Sequence, residues 1–419
     1  MAYSCLPLLR SFCRIEVPRY DRRSRSAAFA RARDLLLARK APGATFADFD
    51  GVQAAAKVSI VLEEPRAEPP SYLTSDPETL ESIPHRLPEA YELIKTLGGV
   101  RNPIHLVRRR ASSKLFIIKQ VSLRHENDWP DESTLLEYLI HPNIISIESV
   151  HRDHNGPSSI ANIVLPYCSG GDMAELLSHL SRTGKPMPVQ FVQHVASSLL
   201  DALLYLHRGE TYNPPTDSIT RQEPHQTILH RDIKPANILV HQPTLTHNSL
   251  PQILLADFDL STPERLCSNL AGTDGYMSPS VAQAFSHPAS TIPQMSPADD
   301  YFSFGVTLYQ LITSGKPYDY QTTTSSQMMM QDIARCTSAN EPEILNLMLE
   351  CLDSDPQKRP LGKAGKDSLK LHRISAKLKK GLQKWCESGG RLPEEIWAGP
   401  LRFAEEGGEK ERELTRRLR

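Results

Sequence analysis

Residues 228–240 read ILHRDIKPANILV, and the polar groups of this stretch decide how the rest of the chain is read. Asp232, on a loop, can accept or orient the proton of an attacking hydroxyl. Lys234, two residues on, can neutralise a migrating phosphoryl group. Asn237 offers a neutral oxygen to a hard cation. Asp257 offers an anionic one, at the end of the short apolar strand in LADFDLS (255–261). An Asp followed five residues later by Asn, with a strand that ends in Asp-Phe, is the set that magnesium-assisted phosphoryl transfer requires.

Outward from this stretch the pattern changes character. KLFIIKQV (114–121) and NIVLPYC (162–168) read as strands, with a short helix pattern, STLLEYLI (133–140), between them. VQFVQHVASSLLDALLYLH (189–207) repeats apolar residues at three and four, as a buried helix does. FSFGVTLYQLITSG (302–315) is apolar almost all round and ends at glycine, which predicts a covered central helix; EILNLMLECLDSDP (343–356) predicts another, stopping before Pro356. Strands first and helices afterwards predict an α+β, bilobal fold, with a small β-rich N-lobe and a larger, mainly α-helical C-lobe. HRDHN (151–155) repeats His-Arg-Asp, but the Asn155-Gly156 pair that follows is a turn signal, so a hairpin is expected there.

The domain reading is a basic leader and Pro/acid-rich linker over 1–88, a catalytic domain over 89–378 and a charged, solvated tail over 379–419. Residues 209–227, polar and aperiodic, are read as an exposed insertion, and 241–252 as a second excursion. Lys and Arg total 48 against 49 Asp and Glu, so composition gives no reason to expect nucleic acid or a membrane as partner. No apolar run approaches the length of a membrane span. Seven scattered cysteines without a CxxC pair argue for reduced thiols, hence an intracellular protein, cytoplasmic or nuclear, without a zinc site. Residues 1–40 hold ten Arg and Lys; a disordered basic leader is favoured there over a mitochondrial presequence.

HRDIKPAN resembles the catalytic loop of eukaryotic-type protein kinases, and DFD resembles that family's magnesium-binding DFG. The resemblance covers roughly 91–378 and implies transfer from ATP, with Mg2+, to a protein substrate. It implies that Asp232 orients the substrate hydroxyl, that Lys119 in IIKQV contacts the α- and β-phosphates, and that Glu132 pairs with Lys119. Asn237 and Asp257 become the metal ligands, and Gly98, Gly99 and Ile104 part of the phosphate loop and adenine cover. VLPYCSGGD (164–172) resembles the hinge: Leu165 takes the gatekeeper position, the backbone of Pro166 and Cys168 meets adenine, and Asp172 reaches the ribose. Asp300 matches the aspartate that braces the catalytic loop, and Arg359 the arginine that anchors the activation segment. Lys234 with Thr273 is the serine/threonine pattern, with Thr273 expected as a structural contact to Asp232. Arg231 beside Asp232 suggests control by a phosphorylated activation loop, with Ser261, Thr262, Ser268 and Thr273 as candidate sites.

Four departures stand against the resemblance. The phosphate loop reads GGVRNPI (98–104) and has lost glycines that bring backbone close to phosphate. Only a short helix, with Pro130 in its first turn, precedes Glu132. Ser280 stands where a glutamate partner of Arg359 is expected, which predicts a less firmly anchored activation segment. Asp259 replaces the glycine of DFG, where glycine supplies backbone freedom. These changes support the competing reading, a pseudokinase or scaffold with weak or no nucleotide binding; the complete set Lys119, Asp232, Asn237 and Asp257 supports the enzyme.

Overall fold

The computed structural model of the chain describes residues 87–98, 102–123, 131–153, 160–241, 250–286, 293–319, 326–335, 342–362, 368–393 and 396. All but 87–91 belong to one compact unit that takes in Glu92–Arg419, whose fold follows. The basic leader, the linker through residue 86, Gly99, Pro130, residues 242–249 and the tail from 397 lie outside the described residues.

The N-terminal part is a five-stranded sheet of β1 (Tyr91–Gly98), β2 (Ile104–Arg109), β3 (Leu115–Ser122), β4 (Ser149–Asp153) and β5 (Ile160–Pro166), in the order β1-β2-β3-β5-β4. Helix α1 (Asp131–Tyr138) lies between β3 and β4 in the chain. Lys119 is directly opposite Ile104 on β2 and Ile163 on β5, and Ile117 is opposite Leu165. Cross-strand partners share a face and alternate residues return to it, so Ile104, Lys119, Ile163 and Leu165 line one side of the sheet. Gln120 belongs to the other side. There a polar ladder crosses four strands, from Thr96 through His105 (3.0 Å) and Gln120 (3.1 Å) to Asn162 (2.9 Å). The second His-Arg-Asp sits in β4, paired with β5 as the turn signal implied; residues 154–159 are outside the described residues.

The C-terminal part is helical: α2 (Met173–Thr183), α3 (Val189–Arg208), α4 (Pro279–Ser286), α5 (Pro297–Ile312), α6 (Ser326–Arg335), α7 (Pro342–Cys351) and α8 (Leu369–Glu387). Short strands interrupt it: β6 (Glu210–Asn213) with β7 (Ser218–Arg221), β8 (Ile228–Leu229) with β11 (Thr262–Pro263), and β9 (Ile238–His241) with β10 (Gln252–Leu255). The apolar runs that predicted buried helices are α3 and α5, both buried through most of their length. α5 packs closely on α7 because Gly305 carries no side chain; a Cβ there would lie 2.7 Å from Cβ of Cys351. Asn143, in the loop after α1, joins the two parts: its amide donates to the carbonyl of Ile253 at 2.9 Å, and its own carbonyl accepts from Leu255 N at 2.9 Å.

Two sequence expectations need correction. The 209–227 insertion is not simply exposed: it opens as the β6–β7 hairpin, and Glu210 at its base is 2% exposed. Gly209, with φ of +64°, ends α3 and turns the chain into β6; a Cβ at this position would come within 2.6 Å of the His225 ring. Glu210 then accepts from Arg208 Nε (3.3 Å), Arg221 Nη2 (2.5 Å) and the Ser368 hydroxyl, and pairs with His372 Nε2 (3.2 Å). Buried charge needs partners, and these come from α3, the hairpin and α8 together. The run after 378 is also not simply solvated. α8 runs unbroken through position 378 to Glu387 and packs on α3, with Leu371, Leu378 and Leu382 buried and Ser375 Oγ donating to Asp201 at 2.5 Å. An amphipathic face was hidden there in a run rich in lysine.

Candidate active site

The catalytic loop is a turn held between β8 and β9. Asp232 is 4% exposed, and both of its carboxylate oxygens are engaged. Oδ1 accepts from the Thr273 hydroxyl at 2.6 Å, while Oδ2 accepts from Lys234 Nζ at 2.9 Å and Asn237 Nδ2 at 3.0 Å. Lys234 also donates to Thr273 Oγ1 at 2.7 Å, so one lysine, one threonine and one asparagine fix the acid. Asn237 donates a second bond to the carbonyl of Asp232 at 2.8 Å, which leaves its Oδ1 to accept or to ligate. Asp300, fully buried on α5, accepts from the backbone N–H of His230 (2.8 Å) and of Arg231 (2.7 Å). Its acidity rises despite burial, because His207 donates to it at 2.9 Å and the two backbone N–H groups favour its ionised form. Burial keeps His230 neutral: Nδ1 accepts from Asp232 N at 3.3 Å, so Nε2 carries the proton toward the carbonyl of Ala256 at 3.2 Å. Phe258 packs edge-on against that ring at 4.8 Å.

Lys119 stands at the other wall. Its ammonium is 2.8 Å from Glu132 Oε2, 2.9 Å from Asp257 Oδ1 and 2.9 Å from Asp259 Oδ2. The short helix therefore does deliver Glu132 to Lys119. The other oxygen of Glu132 accepts from Phe258 N at 3.1 Å, which ties α1 to the turn that follows Asp257. Burial pulls Lys119 down, but the three carboxylates outweigh it and hold the ammonium charged, well above the ordinary lysine value. Burial pushes the Glu132 carboxyl up, Lys119 at 2.8 Å pulls it back toward the ionised form, and Asp259 and Asp257 add to the upward push. Asp257 is half-buried; desolvation pushes its carboxyl up, but the Lys119 ammonium outweighs it and holds the group below its ordinary value. Positive φ falls at Asp257 (+66°), whereas Asp259 lies in a short 3-10 turn, Phe258–Leu260. Glycine's freedom is thus not used at position 259 in this conformation.

The residues read as the hinge follow from the end of β5 into α2. Leu165 is buried, and Pro166 closes β5 opposite Phe116. Cys168 accepts from Gly171 N at 3.1 Å through its carbonyl, and burial pushes its thiol up to about 12, so it is no nucleophile. Asp172 caps α2, accepting from Glu175 N at 2.9 Å. The Asp-x-x-Glu spacing was a readable capping signal that the ribose assignment passed over. Gly98 is the last residue of β1.

Two regulatory expectations change. Arg231 donates from Nε to the carbonyl of Leu260 at 2.6 Å, and from Nη1 to the carbonyl and the side-chain oxygen of Asn269, both at 3.1 Å. Uncharged oxygens thus occupy nitrogens that the phosphorylation reading reserved for an anion. Of the candidate sites, Ser261 and Thr262 are buried, Thr273 is engaged with Asp232, and Ser268 is exposed. Arg359, expected to lack a partner, is fully buried and well supplied. It lies 3.5 Å from Asp299 Oδ1, donates to the carbonyls of Asp353 (2.8 Å), Ser354 (3.2 Å) and Ala298 (3.3 Å), and packs over the Phe302 ring. Asp299 in turn accepts from the Ser278 hydroxyl at 2.6 Å. The activation segment is anchored through Ser278 and Asp299, without a glutamate at position 280. Asp299 and Asn269 were missed because neither belongs to a local motif that points to its arginine.

The Asp232 cluster and the Lys119 cluster are joined through residues 256–258: Ala256 N donates to the carbonyl of Asn237 at 2.9 Å and Phe258 N donates to Glu132 at 3.1 Å. The protein kinase domain family matches residues 91–367, well over half of the chain, and the chain belongs to that family. Curated relatives include the G2-specific protein kinase nimA of Emericella nidulans, 26% identical over 293 residues (65% of this chain, 40% of that one). The G2-specific protein kinase nim-1 of Neurospora crassa is 27% identical over 294 residues, with shares of 65% and 32%. The serine/threonine-protein kinase Nek2 of Mus musculus is 28% identical over 246 residues, with shares of 56% and 49%. The chain thus spans less than half the length of each.

Proposed function

We propose that this chain is an ATP-dependent protein serine/threonine kinase that transfers the γ-phosphate of Mg-ATP to serine and threonine hydroxyls of a protein substrate. The observation that carries this reading is the Asp232 cluster. Its carboxylate is oriented by Lys234, Asn237 and Thr273 together. In that position Asp232 accepts a hydrogen bond from the incoming hydroxyl and draws its proton as the oxygen attacks. Lys234, already beside Asp232, offsets negative charge as the phosphoryl group moves. Lys119 holds the nucleotide's phosphates, and Ile104 and Leu165 on the same sheet face, with the backbone of Pro166 and Cys168, hold adenine.

The donors available to a metal suit magnesium: a carboxylate on Asp257 and the amide oxygen of Asn237, whose nitrogen is already spent on Asp232. Magnesium, when bound, supplies charge neutralisation at the phosphates. A full set of reacting groups favours the enzyme over the scaffold reading. The free thiols of Cys168, Cys267, Cys351 and Cys386 support a reducing compartment, cytoplasm or nucleus. The test is incubation of the full chain with Mg-ATP and a generic protein substrate, followed by identification of the phosphoamino acid. Phosphoserine or phosphothreonine is expected; phosphotyrosine alone, or no transfer, contradicts the reading.

A further inference from the structure

Lys119 donates hydrogen bonds to Glu132 (2.8 Å) and Asp257 (2.9 Å), and Asp259 Oδ2 stands 2.9 Å from the same ammonium as a third ion-pair partner. A nucleotide phosphate that approaches the part of the ammonium left over by those two bonds meets the Asp259 carboxylate there. Glu132 is 3% exposed and is pinned through its second oxygen by Phe258 N. Asp257 directly precedes Phe258, which is fully buried, and its backbone already occupies the left-handed region. Asp259 is different. Its side chain is about as exposed as that of Asp257 (39% against 35%), but it meets Lys119 as an ion pair only, where Asp257 accepts a hydrogen bond, and it stands on a short 3-10 turn. It is the carboxylate that can leave at least cost.

We propose that Asp259 occupies the place of a nucleotide phosphate on Lys119, so that nucleotide binds by displacing an anion this chain carries itself. The proposal rests on the kinase reading, since it takes Lys119 as the phosphate-binding cation. An ion pair must be exchanged for a phosphate contact, and the displaced carboxylate remains beside the phosphates, where like charges repel. Asp259 therefore sets the affinity for phosphate-bearing nucleotides specifically. Contacts to the adenine, made by the hinge and by Ile104 and Leu165, do not involve it.

The experiment measures binding of adenosine, of ADP without metal and of Mg-ADP to the full chain, as wild type, Asp259→Asn and Lys119→Met. Asp259→Asn keeps the side chain's shape and removes its charge. ADP and Mg-ADP should each bind it about tenfold more tightly, a gain of about 1.4 kcal/mol, while adenosine affinity stays within about twofold. In the Lys119→Met background the gain from Asp259→Asn should vanish, because the donor they contest is gone. Unchanged ADP affinity in Asp259→Asn, with adenosine bound normally, overturns the proposal and leaves the kinase reading standing. Weaker Mg-ADP binding overturns it in favour of Asp259 as a cation ligand. An equal gain for adenosine overturns it too, since Asp259 would then be shaping the cleft. Failure of every variant to bind adenosine or ADP overturns both the proposal and the nucleotide-binding reading beneath it.

Discussion

Two ionic clusters in this molecule are near inversions of each other. At Lys119 one cation serves three carboxyl groups, two of them about a third exposed. At Glu210 one carboxylate, 1% exposed at the side chain, serves two arginines, a histidine and a serine hydroxyl. The first is over-supplied with negative charge and has two partly exposed carboxylates, so its contacts can be traded for others. The second closes around its carboxylate and joins α3, the insertion hairpin and α8. Both bring together groups far apart in sequence, yet only the first has partners that exchange. Buried ion pairs fix geometry when closed and carry function when one arm reaches solvent.

The contrast can be broken from either side. Glu210→Gln removes the closed cluster's anion and should cost about 3 kcal/mol of unfolding free energy, read by urea denaturation, with kcat little changed. Its pH dependence adds a check. Burial alone would raise the Glu210 carboxyl, but His372, Ser368, Arg221 and Arg208 hold it below the ordinary carboxylate range. A depressed carboxylate contributes stability above its unfolded value of about 4.3 and loses it as pH falls toward the folded value. Wild type should thus lose more stability than Glu210→Gln below about pH 4.3.

Lys119→Met strips the open cluster of its cation. It should lower kcat/KM for ATP by about a hundredfold, about 2.7 kcal/mol of transition-state stabilisation, yet cost less in unfolding than Glu210→Gln. The reverse ranking would mean that the Lys119 cluster is mainly structural. Asn269→Ala removes one uncharged acceptor from Arg231 and leaves the carbonyl in place, so steady-state kinetics should show kcat falling only about threefold. Ser280→Glu offers Arg359 the partner that the sequence led us to expect. Because Arg359 is already committed to Asp299 and three carbonyls, thermal melting should reveal a change of only about 0.5 kcal/mol or less.

What the sequence made legible follows the same division. Asp232, Lys234 and Asn237 lie within six residues, so their chemistry is written as one word, and Asp257 follows two residues past the end of β10. The long helices announced themselves by apolar period, and Lys119 through the resemblance of IIKQV to the family's strand. The Glu210 cluster was hidden because its strands are four residues long, too short to show alternation, and Ser368 and His372 lie about 160 residues away. Arg359 appeared orphaned for a similar reason: Ser280 was visible at the expected place, while Asp299 sits on a different helix. Asp259 could be seen as a departure, but its direction toward Lys119 depends on the turn that follows Asp257, which no local spacing encodes.

The measurement that bears most directly on the account is single-turnover phosphate transfer from Mg-ATP to a generic protein substrate by wild type and Asp232→Asn. Wild type should transfer phosphate, and Asp232→Asn should be slower by about a thousandfold while binding adenosine equally well. Equal rates in the two proteins, or none from a folded wild type that binds Mg-ATP, would contradict the assignment of Asp232 as the residue that prepares the attacking hydroxyl.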